Sequence, residues 1–448
     1  MDQLIPKLYK AYGDYINSFR SFPLDLDGLK PVERRVLLSA YLVAREKFAK
    51  CPRVDGTCIA RFHPHSTTYG TIVQLANQGF LEKQGNFGSN IGIEPSPPAA
   101  MRYTECKLNP RTYELMFKYV KHVPWVDSES KDDKEPLYLP TMFPVCLIGH
   151  DFSQGIGFGF RTVIPTYFIA DLQKRLLWLL GIRKTKPTIT PRSNCQITAD
   201  QAALESLLTT GKASISMKGV IKANAALCKV IVKSWPPGRR FEAILNKPTI
   251  KKLLDNQDIG FIDSSGKNVG TEIVFSVLKQ RNRDKIYRSC LKAIQAATSS
   301  SVTFEITMTD INNQTRVVSV DEMLMNTFKM YTEVNKTMLN HEIGKTQSAI
   351  VELNALAAIR DPLALMMQAT ATFGSYSLEK KVKLISDQSK VAQDVVKEIL
   401  SKYPIQKLLT LDTDTTKLQE KVTEIQESLT NITNFVLDQY SKAGKELL

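Results

Sequence analysis

LQEKVTEIQESLTNITNFV, residues 418–436, carries Leu418, Val422, Ile425, Leu429, Ile432 and Val436 at successive spacings of 4, 3, 4, 3 and 4. Those are the a and d places of a heptad, so one helix face forms an apolar seam over nearly three heptads. A single seam needs a partner helix. The chain from about Val320 reads as almost wholly helical, and one long helix is expected to run to Arg360. It is expected to stop before Asp361-Pro362, because the residue before a proline avoids helical backbone. That helix is the obvious antiparallel partner. The stretch between them, with PLALMMQ (362–368) and YPIQKLLTL (403–411), then forms a small apolar globule at the far tip. An ordinary helical bundle gives the same pattern and stays open as an alternative.

Moving toward the N-terminus, residues 166–318 change character. Strand-like runs such as ASISMKGVI (213–221), LCKVIVKSW (227–235) and SSVTFEITMTD (300–310) alternate with helix-like TIKKLLDNQD (249–258) and DKIYRSCLKAIQAAT (284–298). That alternation reads as α+β. Residues 1 to about 125 read as mostly helical, broken by turns. In KPVERRVLLSAYLVAREKFAK (30–50), Pro31 marks a helix start and good helix formers follow it.

Composition narrows the class. A chain of 448 residues exceeds one ordinary core and implies several domains. The N-terminus lacks the apolar core of a signal peptide, and the strongest apolar run, residues 176–180, is far too short to span a bilayer. Seven scattered cysteines without CxxC spacing point to reduced thiols in a cytoplasmic compartment rather than to disulfides or zinc. The net charge of +14 suits a polyanionic partner. Residues 212–252 concentrate it, with ten Lys or Arg against one acid, Glu242. Spread along strand-like sequence, those bases should form a surface stripe for phosphate contacts.

Five unusual strings occur in order within the first 165 residues: DGLKPVERR (27–35), RFHPHSTTYGTIV (61–73), QGNFGS (84–89), AAMRYTE (99–105) and GIGFGFRTVIP (155–165). Together they resemble the A, or breakage–reunion, subunits of type IIA DNA topoisomerases (gyrase and topoisomerase IV). The resemblance is dense over about 15–165, looser through the α+β region, and returns in YPIQKLLTLD and the heptad seam. It implies an α+β multidomain chain: a winged-helix DNA-cleavage domain over 1–165, an α/β tower over 166–319, and an antiparallel coiled coil with a helical C-gate over 320–448. It also implies a cytoplasmic enzyme of the bacterial nucleoid or a phage-infected cell, working on duplex DNA as a homodimer. The chain ends at the coiled coil, without the β-pinwheel tail of gyrase, so the closest architecture is the shorter subunit of a phage topoisomerase.

The resemblance assigns roles residue by residue. Tyr103, in the fully matched AAMRYTE, is the implied nucleophile toward a DNA phosphorus, leaving a 5′-phosphotyrosine ester and a free 3′ hydroxyl. A free phenol titrates near pH ~10 and needs help at neutral pH. Arg102, immediately adjacent, supplies a fixed cation for the phenolate or the phosphoryl oxygens. Arg20 keeps the family's spacing in RSFPLDLDGLKP (20–31) and is implied to reach the scissile phosphate from the partner subunit. Lys30, Arg34 and Arg35 are expected to contact the phosphate backbone at a helix N-terminal region, although Glu33 departs from the Gln or His common there. His63 and His65 are implied to lie near the cleaved DNA. As a His-x-His pair without further ligands in view, they are poor evidence for metal. STTYG is two residues shorter than the family's usual stretch. Ile156, between Gly155 and Gly157, is the implied wedge between base pairs; two extra residues in GHDFSQ (149–154) alter its loop.

No P-loop, ATP-binding signature or acidic Mg²⁺-binding cluster is legible in the sequence. Mg²⁺ and ATP are therefore expected on a partner B-type subunit in an A2B2-like assembly, with no metal in this chain. Two other readings remain: a DNA-clamping architectural protein without activity, and a tyrosine recombinase, whose nucleophile would lie near the C-terminus rather than at Tyr103.

Overall fold

The computed structural model describes residues 4–150, 152–369 and 373–446. The chain divides into two compact units, residues 1–331 with 440–448, and residues 332–439. The architecture is mixed α+β with several sheets and one long helix.

In the first unit, helices Pro31–Val43, Cys51–Arg61 and Tyr69–Asn77 pack beside a three-stranded antiparallel sheet of Ala49–Lys50, Glu105–Leu108 and Leu81–Gln84. Pro31 opens its helix, as the sequence predicts, and the Glu33 carboxylate accepts a hydrogen bond from the Lys30 N–H at 3.0 Å. An acid at the third helical position thus satisfies a backbone donor left free at the helix start. Val36, Leu37, Leu38 and Ala40 are buried. The helix ends at Val43, short of Lys50, because the Ala44 carbonyl accepts from Leu108 N of the sheet at 2.8 Å and leaves the helical ladder.

Two larger sheets follow. One contains, in order, Ser153–Ile156, Arg161–Ile164, Ser299–Glu305, Lys212–Lys218 and Gln196–Ile197, so the hairpin bearing Ile156 is the edge of a five-stranded sheet. The other contains Ile221–Asn224, Lys229–Val232, Ile273–Val277 and Ile259–Asp263. Its buried Val230, Val232, Ile273 and Phe275 share a core with Ile294 of the helix Arg283–Ala297. In the basic stretch, Lys212 pairs with Glu305 and Lys233 with Glu272, while Lys218, Lys222, Lys247, Lys251 and Lys252 are exposed or half-exposed. Arg175, with no exposed side-chain surface, joins the helix Ile169–Leu179 to Asp321 (2.7 and 2.8 Å) and Glu205 (2.8 Å).

The second unit is helical. Its long element, Val320–Ala369, begins in the first unit and passes straight through Pro362. The expected stop before Asp361-Pro362 does not occur. Leu356, Ile359, Leu363 and Met366 all lie buried in one cluster, so extending the helix buries two more large side chains. At roughly 1.5–3 kcal/mol each, that gain offsets the ~3 kcal/mol cost of an internal proline. Lys421 pairs with Glu342 at 2.7 Å and Gln439 with Asn335 at 2.9 Å, so numbering rises on one helix as it falls on the other. The helices are antiparallel and coiled-coil-like. Ile425 and Val436 are buried and the other four seam residues half-buried. The seam is carried by two helices, Thr416–Thr430 and Ile432–Glu446, broken at Asn431. Leu408, in the YPIQKLLTL stretch, is 2% exposed within the cluster of Leu356, Val396 and Ile399. Among the described residues, no helix is long and apolar enough to cross a membrane.

Candidate DNA-cleavage site

AAMRYTE forms a short 3₁₀ turn, Met101–Tyr103, leading into the strand Glu105–Leu108. Tyr103 is 62% exposed, and its hydroxyl makes no hydrogen bond among the described residues. The Arg102 guanidinium lies 4.5 Å from the Tyr103 ring centroid. The turn beneath is braced by hydrogen bonds. Tyr103 N and Thr104 N bond to the carbonyls of Ala100 and Met101, and the Tyr69 hydroxyl donates to the Ala99 carbonyl at 2.7 Å and lies 3.0 Å from Thr104 Oγ1. Gly85, at φ +100°, has the Tyr103 carbonyl against the place a Cβ would occupy, so only glycine fits. An exposed phenol with an adjacent cation, on a braced turn, can meet an anionic substrate without refolding.

A second group converges on Glu129, in the loop between strands Trp125–Asp127 and Lys134–Pro136. Glu129 accepts from Arg35 Nη1 (2.7 Å) and the Tyr15 hydroxyl (3.1 Å), and lies 2.8 Å from His65 Nε2. Arg20 Nη2 is 3.2 Å from His65 Nδ1, and Arg35 Nη1 is 3.0 Å from His63 Nδ1. A guanidinium can only donate, so each Nδ1 accepts and each neutral ring carries its proton on Nε2. Burial, the Arg35 charge and His65 push the His63 pKa down to about 4, so the ring stays neutral at physiological pH. Burial alone would raise Glu129, but Arg35 and His65 outweigh it and hold the carboxyl below its usual range.

His63, His65 and Glu129 bring three potential ligand atoms within 4.8 Å of one another. The sequence pairs no acid with the two histidines; the fold supplies one from 64 residues beyond His65. Two arginines already donate to the ring nitrogens, and their fixed charges oppose a divalent cation in the same space.

The remaining basic residues divide. Lys30 Nζ reaches the Gln154 carbonyl at 2.5 Å, beside the Ile156 hairpin. Arg34 differs from the surface contact its position predicts: it is turned inward onto fully buried Asp27, at 2.7 and 3.0 Å. Arg35 is 4% exposed and also grips Glu135 through two bonds of 2.9 Å. Ile156 is 86% exposed at the tip of its hairpin. The fold thus gathers Arg20, Arg35, His63 and His65 around Glu129, links Lys30 to the Ile156 hairpin, and gives Tyr103 and Arg102 their own turn. Sequence reasoning missed Glu129, Tyr15 and Tyr69. Glu129 and Tyr15 stand in no distinctive string, Tyr69 stands in RFHPHSTTYGTIV with no role legible there, and each acts through a contact distant along the chain.

The chain belongs to the family of DNA gyrase and topoisomerase IV A subunits, whose model matches residues 20–445. It is 24% identical to the A subunit of DNA gyrase from Clostridium acetobutylicum over 464 residues, covering 97% of this chain and 54% of that protein. Against the gyrase A subunit of Streptomyces coelicolor it is 27% identical, over 94% of this chain and 52% of that one. Against the A subunit of DNA topoisomerase 4 from Bacillus subtilis it is 34% identical over 183 residues, 38% of this chain and 22% of that one. The chain thus spans about half the length of the first two relatives.

Proposed function

We propose that this chain is the DNA-cleaving and rejoining subunit of an ATP-dependent type IIA topoisomerase. It would act as a homodimer with a B-type subunit that carries the ATPase and Mg²⁺ sites. The observation that carries the reading is Tyr103, 62% exposed on a braced turn with Arg102 beside its ring, in a chain matched to the A-subunit family over residues 20–445.

In this reading the Tyr103 oxygen loses its proton and attacks a backbone phosphorus. One P–O bond forms to the phenol and one breaks to the 3′ oxygen, which takes up a proton. The ester keeps the energy of the broken bond, so attack by the 3′ hydroxyl reseals the strand without hydrolysis. Arg102 offsets negative charge at the phenol and phosphoryl oxygens. Arg20 is the phosphate ligand, the Nε2–H of His63 serves the cleaved strand as a neutral donor, and His65, its Nε2–H held by Glu129, steadies Arg20 through Nδ1 beside that strand. Lys30 contacts the backbone. Arg35 fixes Glu129 and the His63 ring, and Arg34 braces the helix start through Asp27; both support DNA binding from beneath. Ile156 is the wedge that unstacks the duplex so that it bends. Mg²⁺ on the partner would neutralise charge on the leaving oxygen. We assign residues 1–165 to a winged-helix cleavage domain, 166–319 to a tower, and 320–448 to a coiled coil and C-gate.

The test is a cleavage assay on the chain reconstituted with its B-type partner. Tyr103→Phe should bind duplex DNA normally and form no covalent adduct on addition of denaturant. Adduct at the level of the unsubstituted chain would remove Tyr103 from the mechanism.

A further inference from the structure

Arg20 stands on a wide π-type turn, Asn17–Ser21, a rare backbone form that recurs at functional sites. The first residue of that turn, Asn17, is 2% exposed. Its side chain is fully engaged by one residue of another element. Oδ1 accepts from Phe158 N at 2.6 Å, and Nδ2 donates to the Phe158 carbonyl at 3.2 Å. Phe158 lies two residues beyond Ile156, in the tip that joins strands Ser153–Ile156 and Arg161–Ile164. A side-chain amide that meets both the N–H and the C=O of one residue resists shear in either direction.

The surrounding packing closes the same joint. A Cβ on Gly157 would collide with Asn17 Oδ1 and the Phe22 ring, and one on Gly155 with the Ser21 carbonyl. The hairpin therefore lies flush on the turn at two glycines of the GIGFG string. Tyr9 packs edge-on against Phe158, with ring centroids 4.7 Å apart. The exposed side chain of Ile156 and the turn holding Arg20 are thus two ends of one tightly seated piece.

We propose that Asn17 is a positioning residue that locks the Ile156 hairpin to the Arg20 turn, so that insertion into DNA and contact with the phosphate are set together. The proposal rests on the reading of Ile156 as wedge and Arg20 as phosphate ligand. With the lock in place, adduct formation depends on how well the wedge enters. Without it, the wedge still bends DNA, but Arg20 no longer follows.

The experiment uses the full chain with its B-type partner and a duplex labelled at both ends, so that energy transfer reports the bend. Ile156→Val removes one methylene, worth about fourfold in an insertion equilibrium. In the chain with Asn17 intact, Ile156→Val should lower denaturant-trapped adduct about fourfold. Asn17→Ala alone should lower adduct about tenfold with duplex affinity kept within about threefold. In the Asn17→Ala chain, adding Ile156→Val should lower adduct by less than about 1.5-fold. Equal fourfold losses in both chains mean that the residues act independently and overturn the proposal, because a purely structural Asn17 leaves that ratio unchanged. Gly157→Ala strains the same joint from the hairpin side and should reproduce the decoupling. Asn17→Ser, which keeps one hydrogen-bonding group, replaces Asn17→Ala if the latter does not fold. The bend is read separately with Tyr103→Phe, which needs no cleavage. If Ile156→Val leaves the bend unchanged there, Ile156 is not the wedge, a failure of the underlying reading rather than of the lock.

Discussion

A two-fold dimer with a contact at the helical tip is best tested at Leu409, not at Leu408. Both belong to YPIQKLLTL, the apolar stretch at the tip. Leu408 is 2% exposed among Leu356, Ile359, Val396 and Ile399, whereas Ile405 and Leu409 are half-buried against that cluster and keep surface to offer. Truncating a buried leucine to alanine costs ~2–5 kcal/mol, and aspartate adds the cost of a buried charge. Leu408→Asp would therefore unfold the local helices, and loss of a dimer in that variant would say nothing about an interface. Leu409→Asp removes less buried surface and should cost the fold on the order of 1 kcal/mol. In a two-fold interface each substitution counts twice. At ~1.5–3 kcal/mol per leucine fully buried on association, the upper bound is ~3–6 kcal/mol. With part of Leu409 already covered, a rise of about a hundredfold in dimer dissociation constant is expected. Sedimentation across micromolar to nanomolar concentration measures it, and thermal melting checks that the variant folds. A folded Leu409→Asp chain that dimerises as tightly as the unsubstituted chain would remove the tip from the interface. An unsubstituted chain that stays monomeric at micromolar concentration, with and without DNA, would refute the dimer.

Three further outcomes are expected. Arg175→Met removes the one cation shared by Asp321 and Glu205, and breaking such a buried pair costs ~3–5 kcal/mol; their side chains remain 16% and 29% exposed, which places the loss near the lower end. Urea unfolding followed by tryptophan fluorescence checks it, since the Arg175 guanidinium lies 4.6 Å from the Trp178 ring. His63 titrates near 4 folded and near ~6.5 unfolded, so between those values the unfolded chain binds the extra proton and stability falls as pH falls. Melting temperatures from pH 7 to 4.5 should drop less for His63→Gln than for the unsubstituted chain; parallel curves would show that His63 is not held neutral by the fold. Finally, a heterodimer of one Tyr103→Phe chain and one Arg20→Ala chain should nick one strand if Arg20 serves its partner's tyrosine. No adduct from that heterodimer would mean that both residues act within one chain.

What the sequence revealed depended on the range of each interaction. The heptad seam and the helix start at Pro31 are local, and the spacing of apolar residues and the proline itself make them legible; the Glu33 cap on the Lys30 N–H is not read from the string. The Pro362 break is a local rule overridden by burial of Leu363 and Met366, a tertiary gain invisible in the string. Arg34 and Arg35 look alike in sequence, adjacent bases at a helix start. Only the fold shows that one is sunk onto Asp27 and the other spans Glu129 and Glu135, about a hundred residues away. Asn17 is a stronger case. Its partner backbone lies 141 residues on, and nothing in NSFR marks an asparagine as a joint.

The two halves of the candidate site are incomplete in complementary ways. Tyr103 is exposed and well supported from below, yet among the described residues Arg102 is the only cation placed over its ring. The group around Glu129 has two guanidinium groups and two imidazoles tied into one network, and its one hydroxyl, the phenol of Tyr15, is committed to Glu129. Burial pushes the Tyr15 pKa up, helped by the Glu129 charge, which disfavours the phenolate that attack requires. Phosphoryl transfer needs both a nucleophile and charge neutralisation at the same phosphorus. Among the described residues Arg20 contacts His65 and Arg102 lies by the Tyr103 ring, so Arg20 and a tyrosine meet at one phosphorus if the DNA spans them or, as proposed, if a second chain brings its tyrosine to the first chain's arginine. Under the proposed second arrangement each cut would depend on a correctly assembled dimer, and a lone chain, its tyrosine exposed, would leave DNA intact.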